Sequence, residues 1–382
     1  MIVIKDIEIY HIKYPVKKLK YPIANHVLNG SIYIKILTNC SIVGYGEPSS
    51  YILDYFKLFK LFKIKLLPFL INQKINDINL INLKKKVDNK LIEPLVAGLD
   101  QAIWDIKSKL KNRKLNEFIS NKQRIEKKIF LYASGGMIFD KQSNDKIINE
   151  ALKFKSLGFK GYKFRPSIPK EKISHFKRMK FPPPIEIKNF IKNCELLRLK
   201  VGMKYKLMVD LGCRLISIKQ FDYLSEALNE LHFSFIEEPF KRDINIYKKI
   251  SKKSKIKIAF GESLTSEREF KNWINYVDII QPDTNMITIS ELLNLKKIFK
   301  SSEKEIIFHN WSNPISMLSN FHMAKVFNST LIEYNITSNP IINKFQKYKF
   351  KIINGEIKLG SRKGLGVDIN EEFLNKYSKK II

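Results

Sequence analysis

Three acidic residues, Asp210, Glu237 and Glu262, each follow a short apolar run, at 206–209, 233–236 and 256–260. Carboxylates are hard oxygen ligands. Three of them on successive elements, with no thiolate or imidazole among them, suit Mg²⁺ and leave positions open for water and a substrate. Zinc would call for nitrogen or sulfur ligands. Other apolar runs end in polar groups too: Lys163-Phe164-Arg165, Gln281-Pro282-Asp283, His309-Asn310 and Glu333. A single carboxylate in such a place is usually a helix cap or an ion-pair partner. A whole series of polar endings is not plausibly all caps.

The elements that must position these groups follow from the spacing. Apolar runs at 129–133, 161–164, 206–209, 233–236, 256–260, 277–280, 306–308 and 331–332 are separated by helix-sized gaps. That pattern of repeated βα units predicts an α/β architecture, a (β/α)₈-type barrel over residues 127–350, whose strands point their C-terminal ends at one mouth. A segment at 174–187, carrying Pro182-Pro183-Pro184, lengthens one crossover. Before the barrel, strand-like stretches at 2–12, 31–39 and 41–46 and a helical region over 54–115 predict an N-terminal α+β unit, residues 1–126. The segment 351–382 is expected to pack back on that unit, with strand-like stretches at 348–353 and 356–359.

At 382 residues, with 44% hydrophobic and 12% aromatic side chains, the chain can bury a large core in two domains. No apolar run is long enough to span a bilayer and no signal sequence opens the chain, so no membrane role and a cytoplasmic location are expected. Cys40, Cys194 and Cys213 are widely spaced and are read as reduced and structural. The net charge of +32 would ordinarily suggest a polyanionic partner. Here the lysines are spread among isoleucines and asparagines along the whole chain, with no basic arm or nucleic-acid motif. No specific nucleic acid is expected, and the basic surface serves to steer a small anionic substrate.

Over essentially its full length the sequence resembles the enolase superfamily, and within it the mandelate racemase subgroup. The resemblance rests on Lys163-Phe164-Arg165, Val209-Asp210, Ile236-Glu237-Glu238-Pro239, Gly261-Glu262-Ser263, Gln281-Pro282-Asp283, His309 and Leu331-Ile332-Glu333. It implies a barrel with an N-terminal capping domain, and removal of the proton α to a carboxylate with the enolate charge offset by one Mg²⁺ per subunit, or Mn²⁺. The ligands would be Asp210, Glu237 and Glu262. Asp283 and His309 would form a dyad in which the carboxylate fixes the imidazole tautomer and Nε2 acts as base. Lys163 would lie on the opposite face of the substrate, and Glu333 would contact the enolate oxygens. Glu238, next to a ligand on a strand, is expected to point the other way.

Arg165 departs from the lysine many relatives carry. A guanidinium does not deprotonate at ordinary pH, so it is read as a poor base that either contacts the substrate carboxylate or lowers the pKa of Lys163 by like-charge proximity, the sequence leaving open which. His26 and Tyr51, with Asn29 and Ser49, lie in N-terminal stretches matching the loops that set substrate choice in the family. His175 and His322 are read as structural. The resemblance implies an acid-sugar dehydratase of carbohydrate catabolism, a hydro-lyase giving a 2-keto-3-deoxy acid and assembling as a homo-oligomer. The alternatives are a racemase or epimerase using Lys163 and His309, and a non-catalytic, nucleic-acid-binding relative.

Overall fold

A computed structural model describes residues 1–15, 31–49, 55–122, 128–136, 143–166, 184–337, 340–347 and 350–382. Strands β1 (Ile4–Ile12), β2 (Ser31–Thr38) and β3 (Val43–Gly46) form an antiparallel N-terminal sheet. Ile7 and Ile9 of β1 and Ile32, Ile34 and Ile36 of β2 recur at every second position and are fully or almost fully buried. They pack with Leu95, Leu99, Ala102 and Ile106, spaced at helical intervals on the helix Glu93–Leu110. Strand β3 crosses that helix at closest range where two glycines meet. A methyl group on Gly46 would overlap the Gly98 carbonyl, so neither position admits a side chain.

Eight parallel strands follow: β4 (Phe130–Ser134), β5 (Gly161–Phe164), β6 (Lys206–Asp210), β7 (Phe235–Glu237), β8 (Lys257–Phe260), β9 (Ile279–Ile280), β10 (Glu305–Ile306) and β11 (Leu331–Asn335). They pair in chain order from β4 to β10, and β11 pairs with β4. The remaining seam is bridged by the Glu333 amide, which donates to Phe308 O at 3.4 Å. This is the expected barrel. Its interior carries Tyr132, Met208, Phe235, Ala259, Ile279, Ile307 and Leu331, a closed apolar layer. Gly161 leaves the eighth place empty, because a Cβ there would press on Lys206 and the Met208 methyl.

The C-terminal segment divides, which corrects the expectation for its first strands. β12 (Lys351–Ile353) and β13 (Glu356–Lys358) form a hairpin that extends the barrel sheet at β4, through Glu356 against Phe130, rather than returning to the N-terminal unit. Only β14 (Ser378–Lys380) does return, antiparallel to β1.

The two units are joined by buried polar contacts. Lys84 Nζ lies 2.7 Å from Glu291 Oε2 and donates to Thr265 O at 2.8 Å. Glu47, directly after β3, accepts from the amides of Asn313, Ile315 and Ser316 at 2.8, 3.1 and 3.2 Å. It thereby caps the barrel helix Pro314–Val326 with a carboxylate from the other unit, which the helix dipole favours. No helix of the described residues is long and apolar enough to cross a membrane.

Candidate active site

Side chains alternate along a strand, so residues two beyond the apolar layer share its inward direction, one step nearer the mouth. Counting two from Tyr132, Gly161, Met208, Phe235, Ile279, Ile307 and Leu331 gives Ser134, Lys163, Asp210, Glu237, Gln281, His309 and Glu333. All of these are buried. One pleat separates a hydrocarbon layer from an ionic one.

Two sets of direct polar contacts hold the ionic layer. Lys163 Nζ donates to both oxygens of Glu237, at 2.6 and 2.7 Å, and lies 2.8 Å from Glu333 Oε1. Gln281 Nε2 donates to Glu237 Oε2 at 2.6 Å. Arg165 Nη2 pairs with Asp210 Oδ2 at 2.7 Å, and its guanidinium sits 4.8 Å over the Trp311 ring. His309 Nδ1 is 2.6 Å from Asp283 Oδ2, while Nε2 faces Glu262 Oε2 at 3.3 Å and Glu333 Oε2 at 3.8 Å. Glu333 therefore stands between Lys163 and His309. Asp283 is itself held at Oδ1 by the Asn285 amide and by Asn320 Nδ2, at 3.0 and 2.9 Å.

Charge sets the protonation of these groups. Burial alone would lower the Lys163 pKa, but Glu237, Glu333 and Asp210 more than offset it and the ammonium is stabilised. Arg165 pulls the other way only weakly, so the expected lowering of Lys163 is overridden. Burial would likewise lower His309, yet Glu262, Glu333 and Asp283 push it up to about 10. Burial and the neighbouring carboxylates push Glu237 up to about 8, whereas Lys163, His309 and Arg165 outweigh burial and hold Glu333 at about 2. Glu237 and Glu333 share one ammonium, so the upward push belongs to the pair as a unit. It reports a surplus of negative charge.

The strand alternation invoked for Glu238 does not apply to it. Its φ of 43° takes it out of the extended strand, so alternation does not turn it away from the mouth. Its carboxyl accepts from Ser263 Oγ at 3.4 Å, and its pKa is pushed well up by burial and by Glu262 and Asp210. Asp210, Glu237, Glu238, Glu262, Asp283 and Glu333 thus meet only Lys163, Arg165 and His309, an excess of acidic groups over basic ones.

That surplus, on hard oxygen donors, fits a divalent cation such as Mg²⁺ held by Asp210, Glu237 and Glu262. Gln281 Oε1 and the Tyr132 hydroxyl, both buried, have no hydrogen-bond partner among the described residues, so the interior retains unused polar groups. The three carboxylates are not gathered around one point, however. Among the described residues no three of His, Cys, Asp and Glu form a metal-ready group, and Lys163 and Arg165 stand on Glu237 and Asp210 instead.

The structure thus brings Lys163, Arg165, Asp210, Glu237, Glu262, Asp283, His309 and Glu333 to one mouth. His26, Asn29, Tyr51 and His175 lie outside the described residues. Ser49 is buried at the junction of the two units, its amide donating to Asn285 O at 3.1 Å. His322 is buried between Asn116 and Leu365 O rather than against the dyad carboxylate. Sequence reasoning gave no role to Gln281, although it sits two residues past Ile279, and none to Ser134, Trp311 or Asn320.

The family described as enolase C-terminal domain-like matches residues 146–373, and the mandelate racemase / muconate lactonizing enzyme N-terminal domain matches residues 11–120. The chain is 25% identical over 289 residues to an arabinonate dehydratase of Saccharolobus solfataricus, covering 75% of this chain and 72% of the relative. It is 25% identical over 366 residues to a D-galactonate dehydratase of Pectobacterium atrosepticum, covering 91% of each. Among solved structures, a mandelate racemase/muconate lactonizing protein from Paracoccus denitrificans complexed with magnesium superposes with a TM-score of 0.82 at 18% identity, over 100% of this chain and 98% of that one. The 3,6-anhydro-D-galactonate cycloisomerase of Zobellia galactanivorans gives 0.80 at 22% identity, over 99% and 100%.

Proposed function

Because the chain belongs to the mandelate racemase / muconate lactonizing enzyme family of the enolase superfamily, we propose that it is a Mg²⁺-dependent acid-sugar dehydratase. The observation that carries this reading is the His309–Asp283 contact of 2.6 Å, with Nε2 turned into a layer of carboxylates. Asp283 accepts the Nδ1 proton and leaves Nε2 as the working atom. A Mg²⁺ on Asp210, Glu237 and Glu262 would offset the charge that develops on the substrate carboxylate. With the Glu262 charge offset, the first of the carboxylates raising His309 is neutralised and Nε2 can take a proton.

His309 removes the α proton, and the C–H electron pair becomes the C=C bond of an enediolate. Lys163 and Arg165 supply further positive charge beside it. The same His309, now an imidazolium, returns its proton to the β hydroxyl, which leaves as water. The resulting enol becomes the 2-keto-3-deoxy acid. One base is sufficient for this sequence. A racemase needs a second, and Lys163 stays paired at 2.8 Å with Glu333, which is not among the proposed metal ligands and favours the ammonium form. The reading keeps the chain in the cytoplasm with its three free cysteines reduced.

Incubation with Mg²⁺ and a panel of mono- and diacid sugars tests this reading. It predicts accumulation of a 2-keto acid, detectable as a semicarbazone, from at least one member and none in chelator. Turnover that persists undiminished in chelator, or racemisation with no keto product across the panel, contradicts it.

A further inference from the structure

We propose that Arg165 is a resident counter-cation that competes with the divalent metal for Asp210. This inference rests on the assignment of Asp210 as a ligand in the function proposed above. Asp210 is buried, and its Oδ1 already accepts from the Gly212 amide at 2.9 Å. Oδ2 is left for any cation, and Arg165 Nη2 holds it at 2.7 Å. A divalent ion on the same oxygen, at roughly 2.1 Å, would stand against the guanidinium with like charge. Both cannot keep their full attraction to Oδ2.

The other contacts of Arg165 are weaker and allow it to move. Its Nη1 donates to Ser134 Oγ and Gly135 O at 3.3 Å each, long for charged hydrogen bonds. Its flat face rests on Trp311, whose indole N–H is fixed to Ser134 Oγ at 3.2 Å. Trp311 therefore reports on the guanidinium directly. A side chain displaced from Asp210 stays in the field of Glu333, Glu237 and Glu262 and becomes available to an anionic substrate. A lysine at this position could release Asp210 more readily, lacking the planar fork and the stacking on Trp311.

The test uses the full-length protein and Mg²⁺ or Mn²⁺ alone, without substrate. Calorimetric titration should show Arg165→Gln binding the metal about tenfold tighter than the unaltered chain, the scale of one charged hydrogen bond. Arg165→Lys should tighten it less, and gives the same comparison if the glutamine variant does not fold. Metal should also change Trp311 emission in the unaltered chain, read against Trp311→Phe to remove Trp104 and Trp273, with no such change in Arg165→Gln. Equal or weaker metal binding by both variants overturns the inference, as does tightening with no Trp311 response, which marks a bystander charge. Absence of divalent binding by every form overturns the proposed function as well, so the two failures are distinguishable.

Discussion

In the lower layer of the barrel, Met208, Phe235, Ile279 and Leu331 close the interior with hydrocarbon. Two residues on, the same strands present Asp210, Glu237, Gln281 and Glu333, equally buried. The backbone is the same, so the difference lies in how each layer tolerates the loss of water. The lower layer gains by leaving water, at about 25 cal/mol per Å² of apolar surface. The upper layer is held only through pairing, since an isolated buried charge is very costly. It contains more carboxylates than its own cations neutralise, and that imbalance is the mark of a site made for something else to enter.

Changes to the two layers should therefore fail in different ways. The largest expected effect is on activity alone. Glu262→Gln removes one proposed ligand and one surplus charge, and should cut turnover about 10³-fold or more while the circular dichroism spectrum and melting temperature stay close to those of the unaltered chain. Normal turnover in this variant would exclude Glu262 from metal binding. Phe235→Ala, in the layer below, should do the reverse. It opens a cavity in a closed layer and should cost about 3–5 kcal/mol in urea unfolding, so a loss under about 1 kcal/mol would show that the layer is loosely packed.

The smallest effect concerns His322, a buried histidine outside the mouth, which sharpens the contrast. Burial pushes its pKa down to about 3, since its ring serves Asn116 and Leu365 O in the neutral form. The unfolded chain takes up this proton near pH 6.5 and the folded one only near 3. Stability from this group is thus fully present above about pH 6.5 and is lost as pH falls toward 3. In His322→Gln the fall in melting temperature between pH 6.5 and 4 should be shallower. An unchanged slope would remove His322 as a cause.

The barrel and its mouth were legible because both rest on local periodicity. Strand alternation alone carries Met208 to Asp210 and Phe235 to Glu237, and a polar group after an apolar run is visible in a single sequence. Periodicity stops being a guide at Glu238, whose positive φ breaks the alternation with nothing in Glu237-Glu238-Pro239 to announce it. Contacts between distant segments were not legible. Glu47 caps a helix 266 residues further along the chain and Lys84 pairs with a glutamate 207 residues away, so each looks like one surface charge among many until the units dock. The pairing of Arg165 with Asp210 was missed because sequence gives strand ends a common mouth but not a partner.

The central claim is that His309 is the base that takes the α proton. It is tested most directly by proton NMR of a turned-over sugar acid in D₂O, with the unaltered enzyme and His309→Asn. The account predicts that the unaltered enzyme forms the 2-keto-3-deoxy product, and that His309→Asn neither forms product nor washes deuterium into the α position. Exchange that survives in His309→Asn, at one enantiomer only, would assign the proton to Lys163 and contradict the one-base account.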